Sequence, residues 1–114
     1  MKRLLIILML TLCAPVLAQT QMELNQQAKA EFDKADAELN QVWGELKKQV
    51  SPDTREKLID AQLLWIKYRD AEAEARASLY KGGSIAPMVF HNSRTEVTKA
   101  RINILLQWME EFSF

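Results

Sequence analysis

Apolar side chains recur at steps of three and four along most of this chain. Phe32, Ala35, Leu39, Val42 and Leu46 form one such run, and Ala86, Phe90, Ser93, Val97, Ala100, Ile104 and Trp108 form another that includes one small polar residue. Because an α-helix turns once every ~3.6 residues, each run predicts a helix with a single buried stripe. No strand-type alternation, internal repeat or low-complexity tract interrupts them. Between the two runs lie Leu58, Ile59, Leu63, Leu64, Trp65, Ile66 and Tyr68. These positions cover more than one stripe, which predicts a helix touching two neighbours, the central one of three.

Local signals set the boundaries. Thr20 and Glu23 have the spacing of a capping box and open a first helix at about 22–49. Ser51-Pro52-Asp53-Thr54 restarts the chain: Ser51 caps, Pro52 takes the first helical position where its missing N–H costs nothing, and Asp53 suits the positive helix end. The second helix is then expected at about 52–80. Gly82-Gly83 supplies the backbone freedom that ends a helix, and Ser84-Ile85-Ala86-Pro87 opens a third at about 87–111. Short turns place successive helices antiparallel, so the expected fold class is all-α, an antiparallel three-helix bundle of long helices.

In such a bundle, positions facing each other sum to roughly 102 across the first turn and roughly 167 across the second. Trp43, Ile59 and Trp108 then form an expected core layer. Asp36 falls level with Ile66, Asn40 with Gln62, and Arg69 near Thr98 and Arg101. A structural polar layer of Asp36, Asn40, Arg69, Asp70 and Arg101 follows, in which Asp36 meets Arg69 or Arg101 and fixes the helix register.

The first residues change the picture of where the chain works. Lys2 and Arg3 precede an apolar run, Leu4 to Leu12, too short to span a bilayer, and Val16-Leu17-Ala18 offers small residues for cleavage. This reads as a signal peptide over 1–18 and a helical domain over 19–114, periplasmic or secreted. The only cysteine, Cys13, lies in that segment and follows Leu12, where a lipid-attachment site needs a small residue. No stable membrane anchor is expected after cleavage, and packing alone must stabilise the domain.

Charge narrows the partners. The chain has fifteen basic and fifteen acidic side chains, and loss of Lys2 and Arg3 leaves thirteen against fifteen, two negative. Nucleic acid would need a basic stripe, which is lacking.

The candidate chemistry thins out on inspection. Asp36, Asp70 and Glu72 beside Arg69 are carboxylates enough for acid/base work, but that work needs two of them held at a set separation with divergent pKa values. On helices this rich in Glu and Asp, an interhelical salt bridge is the simpler reading. His91 has no cysteine or second histidine with which to hold a metal, and reads as a surface or capping residue. Gly82-Gly83-Ser84 lacks the longer phosphate-loop pattern, and Ser84 has no base at a recognisable spacing. Tryptophans at helical spacing read as core. The expectation is a protein that is not an enzyme, with no catalytic residue, metal or cofactor.

Several ordered motifs carry a resemblance. Asp36-Ala37-Glu38-Leu39-Asn40, then Ala61-Gln62 with Trp65 and Tyr68-Arg69-Asp70-Ala71-Glu72, then Gly82-Gly83-Ser84-Ile85-Ala86-Pro87 resemble the motif series of the LprI-type lysozyme inhibitor N-terminal domain family over roughly residues 22 to 106. The resemblance implies a small secreted helical domain, some of whose relatives inhibit lysozyme. That family usually carries cysteines at the positions of Gln27, Ala73 and Ser93, and this chain has none of them. Reflection about the second turn puts Ala73 beside Ser93, so the implied bridge is replaced here by a small-residue contact.

The expected function is therefore a secreted or periplasmic binding protein that blocks a lysozyme's substrate cleft by occlusion. Its expected partner-binding residues are the exposed second-turn residues Lys81, Gly82, Gly83 and Ser84. The alternative is a structural or regulatory envelope protein that binds another protein or self-associates. Met88, Val89 and the C-terminal Trp108, Met109, Phe112 and Phe114 would serve that role.

Overall fold

Thr20 starts the first helix with an extended backbone and a hydroxyl that accepts from the Glu23 N–H at 3.1 Å. The computed structural model describes residues 19–111, which form α1 (Gln21–Gln49), α2 (Pro52–Ser78) and α3 (Ala86–Glu111). The expected signal peptide over 1–18 and the C-terminal Phe112 and Phe114 lie outside the described residues. Ser51 caps α2 by accepting from the Thr54 N–H at 3.3 Å, with Pro52 in the first turn. Arg55 closes the same corner: its Nε donates to the Lys47 carbonyl at 2.7 Å and its Nη2 to the Val50 carbonyl at 3.3 Å. Carbonyls that the end of α1 leaves without helical partners are satisfied from the next helix.

The fold is all-α, and the helix boundaries fall within two residues of those expected. α2 stops at Ser78 rather than near 80 because its last amides tighten. Leu79, Tyr80 and Lys81 donate to Arg76, Ala77 and Ser78, three residues back, instead of four.

The hydrophobic core sits at the first-turn end, where Leu39, Leu46, Val50, Leu58, Ile102 and Leu105 are buried together, with Trp43, Trp65 and Trp108 packed against them. The expected layer of Trp43, Ile59 and Trp108 is one residue out. Ile59 is 39% exposed, whereas Leu58 is 3% exposed. Levels read by reflection are accurate to about a residue, and one residue on a helix is a turn of ~100°, enough to move a side chain from core to surface.

A second correction concerns the central helix. α3, not α2, packs against both neighbours, while α1 and α2 meet mainly through long side chains. Small residues account for this. Ala28 and Ala35 of α1 and Thr95 and Thr98 of α3 are buried and let those two parallel helices approach closely. Phe32 and Arg69, which are larger, fill the space between α1 and α2. The wide apolar surface of α2 is left partly bare: Leu63, Leu64 and Tyr68 are each more than half exposed. Ala73 and Ser93 are both buried on the facing helices α2 and α3.

Candidate contact surface and polar layer

The corner between α2 and α3 is built on glycine. Gly82 has φ 81°, a left-handed conformation that a side chain would strain, and a Cβ on Gly83 would come within 3.0 Å of the Tyr80 carbonyl oxygen. The corner is tied down from both sides. The Gly83 N–H donates to that carbonyl at 2.8 Å, and Asn25 of α1 donates from Nδ2 to the Ser84 carbonyl at 3.0 Å. Gln21 supports Asn25, donating to its Oδ1 at 2.9 Å.

Lys81, Gly82, Gly83 and Ser84 are all exposed on this corner. Leu79 and Tyr80 project beside them, 82% and 44% exposed. Reading the helix through residue 80 hid these two; an apolar pair separated by one lysine from a double glycine was the available signal. Next to them lies a shallow, open depression of about 530 Å³ whose lining includes Ala77, Ala86, Pro87 and Phe90, with Glu74 and Lys81 adding charge. His91 also lines it. Burial is the main cause that holds its pKa below the ordinary 6.5, assisted by the positive charges of Arg94 and Lys29 and opposed by Asp33. Met88 and Val89 are half-buried here.

In the middle of the bundle the polar residues gather around Phe32. Arg69, 6% exposed, donates from Nη1 to Asp36 at 3.2 Å and from Nε to Asp70 at 3.0 Å. Arg94 lies 3.3 Å from the same Asp70 oxygen, an ion pair too poorly aligned to be a hydrogen bond, and its guanidinium sits 3.6 Å from the centre of the Phe32 ring. The Arg69 guanidinium lies 5.1 Å from Phe32 and 5.2 Å from Trp65, close enough for cation–π attraction. Arg101, whose pKa burial lowers, donates to Gln62 at 2.9 Å rather than to Asp36. Asn40 lies exposed on α1. Arg94 escaped the sequence reading because its level relative to Phe32 depends on the parallel α1–α3 pairing, which neither turn reports directly.

These carboxylates face arginines that hold them in pairs, an arrangement that fixes helices rather than moving protons. Among the described residues no cluster of His, Cys, Asp or Glu could hold a metal, and no helix is long and apolar enough to cross a membrane.

The sequence profile described as lysozyme inhibitor LprI matches residues 13–105. An uncharacterized protein of Rhizobium meliloti (strain 1021) is 31% identical over 106 residues, covering 82% of this chain and 76% of its own. No solved structure matches.

Proposed function

The chain belongs to the lysozyme inhibitor LprI family, and from that premise we propose that it is a secreted or periplasmic binding protein that inhibits a lysozyme by occupying its substrate cleft. The corner of residues 79–85 carries this reading. Residues 79–84 are exposed, and the corner is held in one shape by Gly82, Gly83 and the Asn25 bond to Ser84. A preorganised protrusion loses little entropy on entering a cleft, which is what occlusion requires. Leu79 and Tyr80 are the apolar anchors, and Lys81 and the corner's exposed amides and carbonyls supply polar contacts at the rim. Such inhibition needs no catalytic group. Export follows from reading residues 1–18 as a cleaved signal, which places the domain where lysozymes act.

Occlusion predicts that inhibition is competitive with a soluble oligosaccharide substrate of the lysozyme. Inhibition that leaves KM unchanged and lowers kcat would place the contact elsewhere. The second reading, self-association in the envelope, is favoured by one observation, the bare apolar face of α2.

A further inference from the structure

Within ten residues of α2, Ile59, Leu63, Leu64, Ile66 and Tyr68 are all at least a third exposed, and Leu64 reaches 67%. Among the described residues, the other helices expose large apolar side chains to that degree only at Met22 of α1 and Ile104 and Leu106 of α3. On helical spacing Asp60, Leu63, Leu64, Lys67 and Ala71 share the face turned away from the buried Leu58, Gln62, Arg69 and Ala73. Asp60 and Lys67 are exposed and flank the two leucines, three residues before Leu63 and three after Leu64.

That spacing is self-complementary. A two-fold axis between Leu63 and Leu64 pairs each residue with the one equally far on the other side, along an antiparallel copy of the same helix. Leu63 then packs beside Leu64 of the second copy and Asp60 meets Lys67, while Ile59 and Tyr68 lie at the two edges of the contact. No like charges oppose one another near the axis. The first such meeting, Asp53 with Glu74, falls about 16 Å along the helix, where crossing helices have begun to diverge. A membrane surface would select a basic rim, whereas this face carries both signs in mirrored positions.

We propose that this face joins two copies of the chain in an isologous, antiparallel α2–α2 dimer. Five exposed apolar residues per copy fall well short of the ~20–30 residues a side of a standard interface, so the dimer forms and dissociates with concentration. Its geometry sends the two 79–85 corners to opposite ends, about 50 Å apart at ~1.5 Å per residue, where each can take a partner. The dimer does not depend on what the corner binds.

Sedimentation equilibrium of the exported, purified protein from about 5 to 500 µM tests it. The mass rises from monomer toward dimer. Asp60→Lys or Lys67→Asp alone turns two attractions into repulsions and weakens association about fivefold or more, while the double exchange restores it. Leu64→Ser, at an exposed site, also leaves a monomer. A native protein monomeric throughout, a dimer indifferent to the single exchanges, or a double exchange that fails to restore it overturns the proposal.

Discussion

Arg69 Nη1 on α2 donates to Asp36 Oδ1 on α1 at 3.2 Å, joining the two helices that approach each other least closely. The arginine is buried while both of its carboxylates are more than a third exposed. Water already screens Asp36 and Asp70, so most of the cost of losing Arg69 is lost packing against Phe32 and Trp65 and loosened register. Arg69→Ala is predicted to destabilise the domain by about 2–3 kcal/mol and Asp36→Asn by about 1 kcal/mol or less. Urea denaturation of each variant checks the order; equal losses would contradict it.

The corner's glycines act through the backbone. Gly82→Ala forces a side chain into left-handed φ and is predicted to cost about 1–2 kcal/mol, while Gly82→Asn, which tolerates that conformation, costs less. Gly83→Ala presses its Cβ on the Tyr80 carbonyl and is predicted to cost a similar amount. Thermal melts compare the three.

The sign of the pH dependence follows from His91. Its folded pKa lies below 6.5 because burial, Arg94 and Lys29 disfavour the imidazolium. The unfolded chain then binds a proton more readily than the folded one at mildly acidic pH. The stability associated with neutral His91 is complete above pH 6.5 and is lost as pH falls from there through the folded pKa. Native protein is predicted to lose more stability between pH 7.5 and pH 5 than His91→Gln does. Identical losses measured by denaturation at both pH values would remove His91 from the account.

Ala73 and Ser93 offer a test of register. Both are buried, Ala73 on α2 and Ser93 on the facing α3. Ala73→Cys with Ser93→Cys is predicted to form a disulfide on mild oxidation and to gain about 2–4 kcal/mol. Free thiols persisting after oxidation would mean that the two side chains do not face each other.

Helix number, boundaries and antiparallel order were legible because caps, prolines, glycines and a three-four spacing are local signals. What sequence left hidden depends on helix phase and on small residues. Ile59 and Leu58 differ by one position yet sit on opposite sides of the core boundary. The central place of α3 comes from alanine and threonine positions that allow close approach without looking hydrophobic. At the corner, Lys81 to Ser84 could be placed on an exposed turn from Gly82-Gly83, but Leu79 and Tyr80 joined it only because the last turn of α2 tightens and ends early. Arg94 reached the polar layer through a parallel helix pair whose offset no single turn encodes.

The most direct measurement is lysis of peptidoglycan by lysozymes of different types with native protein and with Leu79→Asp side by side. The account predicts that micromolar native protein slows at least one type. Leu79→Asp, at a site 82% exposed and remote from the core, is predicted to keep the native melting temperature and lose inhibition about tenfold or more. No protection against any lysozyme type, or full protection by Leu79→Asp, would contradict it.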